Sequence, residues 1–177
     1  MKPFDGFNRA VKMPSLARLP SLSAHTDAVM DALVLDQPRD VYIPSSRKEM
    51  SREVGLLATC SLDKTIRLWS LPQCQEGWCL EGHVSGVRSL SYDRHQSLLV
   101  SCGFEYTVRG WGGTGEQAFP MFTLEGGHNA SVRTVRCAPG GAAFCVSLDD
   151  DGVMSWWDTS RDSLASPTER LTHSVSL

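Results

Sequence analysis

The chain has 177 residues, of which 41% are hydrophobic, and this predicts a folded protein with ordinarily one domain. Its 17 basic and 20 acidic residues are interspersed and give a net charge of −3, so charge offers no argument for binding nucleic acid or an anionic membrane. No apolar run approaches the ~18 residues that a membrane-spanning helix needs.

The first 19 residues are predicted to form a flexible basic arm. Their charges are Lys2, Arg9, Lys12 and Arg18 against the single acid Asp5. An organelle transit peptide has a similar composition, but the segment lacks a clear amphipathic period. The arm is therefore the preferred interpretation, and residues 20–177 are expected to form the folded part.

A fourteen-residue pattern then occurs three times, over 56–69, 98–111 and 144–157. In each copy a hydroxyl residue stands ten positions before the last tryptophan, an acid stands six before it, and a histidine lies upstream. The copies recur at nearly fixed spacing, His83 and His128 being 45 residues apart, and such a period indicates stacked supersecondary units. The first unit carries an insertion over 36–53. The recurring residues are His25, Thr59, Asp63 and Trp69, then His83, Ser101, Glu105 and Trp111, then His128, Ser147, Asp151 and Trp157.

Each unit is predicted to contain four short strands. The segment after each histidine is the first strand, as in Val87–Tyr92, and the start of the repeated pattern is the second. In the third strand Ile66 and Leu68 are expected on one side and Thr65, Arg67 and Trp69 on the other, which is the period of two expected of a strand. The fourth strand precedes the next histidine, as in 121–124. The units are placed at about 25–82, 83–127 and 128–173.

This arrangement of a Gly-His pair and a third-strand tryptophan resembles the WD-repeat family of β-propellers. Four positions depart from the family pattern, since Ser70 and Gly112 replace the Asp that follows Trp, Ala24 replaces the glycine before histidine, and Glu105 stands where the family prefers Asp. Only Trp157-Asp158 keeps the eponymous dipeptide. The resemblance implies an all-β fold with about three four-stranded antiparallel blades. It also implies a partial propeller whose ring is incomplete, because closed rings take typically ~4–8 blades.

By the same resemblance, the histidine of each blade links the turn acid to the strand hydroxyl, which in turn bonds the tryptophan N–H. A buried imidazole or indole N–H is costly without a partner, and a complete network fixes the blade. The rival hypothesis is a hydrolase that uses one Ser/His/acid set. Repetition disfavours it, because an active site is built once, and no Gly-x-Ser-x-Gly elbow is present. The chain is accordingly predicted not to be an enzyme.

No metal or cofactor is predicted. The six cysteines form no Cys-x-x-Cys pair, and unpaired thiols indicate a reducing, cytoplasmic or nuclear compartment. The segment 147–158 half-fits a calcium loop, but its flanks are predicted strands rather than helices. Asp151-Gly152 is better explained as a hairpin turn.

The predicted function is a non-catalytic scaffold for protein–protein interaction, built as a fragment of a larger propeller. An alternative is an architectural segment of a multi-propeller protein of cilia or flagella. The expected partners are other proteins, not nucleic acid or membrane, with self-association or further blades closing the ring. Partner contact is predicted at the rim from which the 36–53 insertion and the loops between third and fourth strands leave. Tyr42 and Ile43 of the insertion also suit packing on the first blade. The residues proposed for this contact are Tyr42, Ile43, Arg47 and Phe119.

Overall fold

The computed structural model describes residues 21–35, 55–71, 75–112, 119–160 and 170–176. These residues form twelve strands in three antiparallel sheets, with one short 3-10 turn at Pro139–Gly141. The prediction of an all-β protein with three four-stranded blades is confirmed. The predicted arm over 1–19, the insertion over 36–53 and its residues Tyr42, Ile43 and Arg47 lie outside the described residues.

The strands of each blade follow one another in the chain and pair in chain order, so that the first strand of a blade pairs with the second and so on to the fourth. The first blade contains β1 (Val29–Leu35), β2 (Leu56–Ser61), β3 (Ile66–Ser70) and β4 (Gln75–Leu80). The second contains β5 (Val87–Asp93), β6 (Leu98–Gly103), β7 (Val108–Gly112) and β8 (Phe119–Leu124). The third contains β9 (Val132–Cys137), β10 (Phe144–Asp149), β11 (Val153–Asp158) and β12 (Leu171–Ser176).

The turn between the second and third strand has the same backbone feature in every blade. Lys64, Tyr106 and Gly152 occupy its left-handed position, with φ of 73°, 65° and 83°. Glycine adopts this conformation freely, whereas other residues pay a steric cost. The Asp-Gly pair of the third blade is therefore the best suited of the three sequences to this turn.

The two sides of each blade differ because side chains alternate along a strand. We call the side bearing Trp69, Trp111 or Trp157 the tryptophan face, and the side bearing Ile66, Val108 or Met154 the aliphatic face. The aliphatic face of the first blade packs on the tryptophan face of the second in one buried cluster. The aliphatic face of the second blade packs on the tryptophan face of the third in another. One type of interface is thus used twice.

The two outermost faces are apolar and partly exposed. On the tryptophan face of the first blade, Val34 is 60% exposed. On the aliphatic face of the third blade, Phe144 is 40% exposed, whereas the corresponding Leu56 and Leu98 are at most 1% exposed. The described sheets therefore do not close into a ring, as expected of a partial propeller.

Within the described residues, no helix is long and apolar enough to cross a membrane.

Candidate functional site

The second blade contains a continuous polar bridge. The Trp111 indole N–H donates to the Ser101 hydroxyl oxygen at 2.8 Å, and that oxygen lies 2.7 Å from Nε2 of His83. Nδ1 of the same ring lies 2.9 Å from Oε1 of Glu105. One hydrogen assignment satisfies all three contacts, with the serine O–H donating to Nε2 and the Nδ1–H donating to the carboxylate. With this assignment each of the three contacts has one donor and one acceptor.

The first blade builds the same bridge with threonine as the hydroxyl residue. The Trp69 indole N–H donates to Oγ1 of Thr59 at 2.8 Å, and that oxygen lies 2.8 Å from Nε2 of His25. Nδ1 of His25 lies 2.9 Å from Oδ2 of Asp63. Thr59 and Trp69 meet because strands β2 and β3 are paired in register, which puts both side chains on the tryptophan face.

In the third blade the acid is Asp149, and the prediction of Asp151 for this role is wrong. Nδ1 of His128 lies 2.9 Å from Oδ2 of Asp149, and Nε2 lies 2.5 Å from Oγ of Ser147. The Trp157 indole N–H donates to the same serine oxygen at 2.7 Å. Asp151 lies exposed in the turn, where its backbone N–H donates to Asp149.

Strand geometry explains the exchange of acids. Asp149 lies two residues after Ser147 on strand β10, so its side chain projects from the same face toward the histidine. The corresponding residues are Ser61 in the first blade and Gly103 in the second, and neither carries an acid. In those blades the acid must instead come from the turn. Asp149 could have been identified in the sequence by its period-two relation to Ser147.

Two of the bridging carboxylates, Glu105 and Asp63, are held in their charged form. Burial alone would raise the pKa of Glu105, but hydrogen bonds from His83, Arg109 and Thr107 outweigh it and hold that pKa well below its usual range. Burial likewise opposes ionisation of Asp63, and hydrogen bonds from Thr65 and His25 lower its pKa well below the ordinary value. Both carboxylates therefore favour the folded state when they are ionised.

These depressed pKa values predict acid sensitivity. The contribution of Glu105 is fully present above its unfolded pKa and is lost as the pH falls from there toward its lower folded pKa. Urea unfolding between pH 7 and pH 3 should therefore show a falling free energy of unfolding below about pH 5. Glu105→Gln should be less stable at pH 7 and should fall less steeply on acidification. Equal slopes for the variant and the wild type would contradict this role of Glu105.

Removal of one bridging histidine should lower stability. His83→Ala leaves the Ser101 hydroxyl and the Glu105 carboxylate without their shared partner, so we expect a loss of about 1–3 kcal/mol in the free energy of unfolding. His95→Ala is the matched control, because His95 is exposed in the turn after strand β5. Thermal melting of the two variants checks the expectation, and an unchanged melting temperature for His83→Ala would contradict it.

The hydroxyl groups of the bridges are closed to a substrate. Ser101 is fully buried and Ser147 is 1% exposed, and each accepts an indole N–H on its oxygen. A nucleophile needs an approach path for the reacting carbonyl and a free lone pair directed at it. This arrangement supplies neither, and it is suited to holding strands together. Among the described residues, no group of three or more His, Cys, Asp or Glu side chains is placed to hold a metal ion.

An exposed apolar patch lies on the rim formed by the turns between second and third strands. Val84 is 70% exposed, Tyr106 is 49% exposed and Phe104 is 39% exposed. The backbone N–H of Val84 donates to Glu105 at 2.6 Å, which places the three side chains around one turn. The guanidinium carbon of Arg88 lies 4.9 Å from the Phe104 ring centroid. We call Val84, Phe104 and Tyr106 the rim patch.

The partner contact that was predicted from the sequence belongs to the opposite rim, at the other end of the strands from the rim patch. Strand pairing aligns Leu35, Leu56 and Ser70 at one end of the first blade, so the 36–53 insertion leaves from that end. Phe119 pairs with Gly112 at the matching end of the second blade and is 52% exposed. Tyr42, Ile43 and Arg47 lie outside the described residues, and their contact with a partner stays a prediction.

Comparison with known proteins gives matches to repeat proteins. The family model described as "WD domain, G-beta repeat" matches residues 17–70 and 74–112. DDB1- and CUL4-associated factor 10 of Danio rerio is 47% identical over 57 residues, which are 32% of this chain and 11% of that protein. Ubiquitin homeostasis protein lub1 of Schizosaccharomyces pombe is 37% identical over 98 residues, 54% of this chain and 12% of that protein.

A longer match is to Cell division control protein 4 of Saccharomyces cerevisiae, with 25% identity over 134 residues. It covers 66% of this chain and 17% of that protein. The chain thus corresponds to less than a fifth of the length of each of these three relatives.

Proposed function

Because this chain belongs to the WD-repeat family, we propose that it is a non-catalytic scaffold that binds other proteins. The single observation that carries the proposal is the threefold repetition of the bridge with its hydroxyls buried. The same Ser/His/acid or Thr/His/acid set recurs in every blade, and in each the hydroxyl oxygen accepts a hydrogen bond from an indole N–H. This arrangement favours a role in strand packing rather than nucleophilic chemistry. Blades held in this way offer a rigid frame for loops that recognise a partner.

The rim patch is the surface we assign to partner binding. Tyr106 adopts a left-handed backbone conformation, which costs an ordinary side chain roughly 1–2 kcal/mol, and yet about half of its side chain is exposed. A tyrosine at this position therefore stabilises the fold less than glycine would. Exposed aromatic rings beside an arginine are typical of the centre of a protein–protein interface. These features support a binding role for Tyr106.

The partner we propose is a protein rather than a nucleic acid or a membrane. The net charge of −3 supports this choice, because phosphate backbones and anionic lipids attract basic surfaces. A cytoplasmic site of action is part of the proposal, supported by the free thiols of Cys60, Cys79 and Cys102. DDB1 is the first partner to test, since one group of relatives is named for association with DDB1 and CUL4.

A binding assay with purified DDB1 tests both partner and surface. The wild-type chain should bind, and Tyr106→Gly should weaken binding at least tenfold without lowering the melting temperature, because glycine suits the left-handed turn. Lys64→Gly is the matched control, since Lys64 occupies the same turn position in the first blade. It should bind like the wild type.

Deletion of residues 36–53 tests the opposite rim in the same assay. Loss of binding on deletion, with full binding by Tyr106→Gly, would move the interface to that insertion. Failure of the wild type to bind would contradict DDB1 as the partner. Hydrolysis of a generic ester or peptide substrate that Ser101→Ala abolishes would contradict the non-catalytic function itself.

A further inference from the structure

Two cysteines lie directly opposite each other on adjacent strands of the third blade. Cys137 ends strand β9, and strand pairing places it against Cys145 of β10. The next pair outward is Ala138 and Phe144, in which the Ala138 N–H donates to the Phe144 carbonyl oxygen at 2.9 Å. Hydrogen-bonded and non-hydrogen-bonded pairs alternate along an antiparallel ladder. Cys137 and Cys145 therefore form a non-hydrogen-bonded pair.

The position of this cysteine pair suits a disulfide. Residues of a non-hydrogen-bonded pair have Cα atoms about 4.5 Å apart and carry their side chains on the same face of the sheet. A disulfide needs Cα atoms roughly 4.4–6.8 Å apart, so the two strands require little movement. Cys137 and Cys145 are both free thiols in the structure. The hairpin thus holds two thiols at a backbone separation that a disulfide spans.

The other described cysteines do not share this arrangement. None of them lies opposite a cysteine on a neighbouring strand. Cys79, for example, lies opposite Arg67. Cys102 belongs to the same buried cluster as Cys145, but it lies on β6 of the second blade, across the interface. Among the described strands, only the β9–β10 pairing therefore aligns two thiols.

The two thiols differ in their access to solvent. Cys145 has no exposed surface, whereas Cys137 is partly exposed and packs against the cluster that contains Cys145. Burial raises the pKa of the Cys137 thiol to about 11 and the pKa of Cys145 well above its ordinary value. Both thiols are therefore protonated at neutral pH, which makes their oxidation slow. A small oxidant meets Cys137 first.

We propose that Cys137 and Cys145 form a peroxide-sensitive switch that closes a cross-strand disulfide in the third blade. Hydrogen peroxide oxidises the Cys137 thiol to a sulfenic acid, and one water leaves as the O–O bond breaks. The Cys145 sulfur then attacks the Cys137 sulfur, forming the S–S bond, and the hydroxyl leaves with the Cys145 proton as a second water. Two thiols thus lose two electrons to one peroxide. This inference is independent of the rim patch and of its partner.

The disulfide would act on a loop that touches the second blade. The Cys137 backbone N–H donates to the Ser91 hydroxyl oxygen at 2.8 Å. A Cβ atom at Gly141, within the loop that the disulfide encloses, would lie 3.1 Å from Cγ of His95. Closing this loop restricts the unfolded chain, so the oxidised protein should melt at a higher temperature than the reduced one. Dithiothreitol should reverse the change.

The deciding experiment treats the full 177-residue chain, at low protein concentration, with hydrogen peroxide. Remaining thiols are then alkylated in denaturant with iodoacetamide, and the chain is digested with trypsin. Cleavage after Arg136 and Arg161 gives one peptide, 137–161, whose only cysteines are the proposed pair. It should carry two alkyl groups before oxidation and none afterwards, with a loss of two hydrogens that dithiothreitol restores. Cys102 is the matched buried control in peptide 95–109 and should stay alkylated.

Two variants test the order of the steps. Cys137→Ser should leave Cys145 alkylated after peroxide treatment, because that thiol is buried. Cys145→Ser removes the resolving thiol, so Cys137 should accumulate as a sulfinic acid that dithiothreitol does not reduce. Peroxide should raise the melting temperature of the wild type and of neither variant. A wild-type peptide that keeps both alkyl groups, a bridge from Cys137 to another cysteine, or an oxidised wild type that melts no higher would each overturn the proposal.

Discussion

Trp111→Ala is expected to lower the free energy of unfolding by about 3–5 kcal/mol, the range for removal of a large buried aromatic side chain. The Trp111 side chain is 2% exposed and fills the interface between the first and second blades. Its indole N–H is also a donor to Ser101. The substitution therefore opens a cavity between two blades and interrupts the bridge of the second blade.

A matched variant separates these two effects. Trp111→Phe keeps most of the ring in the interface and removes only the donor, so we expect a smaller loss of about 1–2 kcal/mol. Urea denaturation of both variants gives the two free energies. Equal losses for alanine and phenylalanine would contradict packing as the larger contribution, and a loss below about 1 kcal/mol for alanine would contradict the buried position of the ring.

Gly103→Ala should also be severely destabilising, by about 3 kcal/mol or more, the upper part of the range for overpacking. A Cβ atom at this position would lie 2.1 Å from the carbonyl oxygen of Gly86 and 3.0 Å from Cα of Val87. Both are backbone atoms, so relief requires strand β5 to move. Val87 belongs to the core between the first two blades, and the displacement would disturb that interface.

Gly77→Ala is the control for this substitution. Gly77 also lies in a strand, β4, but a Cβ atom there would meet only the Leu68 carbonyl oxygen, at 3.4 Å. Its effect should stay within about 0.5 kcal/mol, as for most surface changes. Melting curves of the two alanine variants compare them directly. Equal stability of Gly103→Ala and wild type would contradict the close approach of strands β5 and β6.

Sequence periodicity was sufficient to predict the strands of the repeat. Ile66 and Leu68 alternate with Arg67 and Trp69, and the strand they indicate is present as β3. The spacing of ten residues between hydroxyl and tryptophan corresponds to a hairpin with one fixed register, for example Thr59 opposite Arg67. Because that spacing is identical in all three copies, the bridge geometry between hydroxyl and indole is the same in each.

The acid of the third blade could not be predicted by alignment on the tryptophan alone. Three consecutive acids, Asp149 to Asp151, occupy the end of β10 and its turn, and alignment selects the last of them. Which one meets His128 depends on the face from which its side chain projects and therefore on where the strand ends. The exposure of the rim patch could not be predicted either, because Phe and Tyr are residue types that are also common in buried cores, and the sequence alone does not show that Phe104 and Tyr106 are exposed.

The exposure of the aliphatic face of the third blade also could not be predicted from a single repeat. Phe144 and Val146 occupy positions of the pattern that are buried in the first two blades. Their exposure in the third follows from the absence of a described blade against that side. Only the arrangement of the blades relative to one another shows that this face is partly exposed.

The central claim is that the repeated histidine, hydroxyl and tryptophan hold each blade together, and indole hydrogen exchange tests it most directly. In a chain labelled with ¹⁵N-tryptophan, the indole N–H signals of Trp69, Trp111 and Trp157 should persist after transfer to D₂O, because each donates to a buried hydroxyl. The signal of Trp78, which is partly exposed, should disappear faster. Ser101→Ala should abolish the protection of Trp111 while leaving that of Trp157. Indole protons of Trp69, Trp111 and Trp157 that exchange as fast as that of Trp78 would contradict the account.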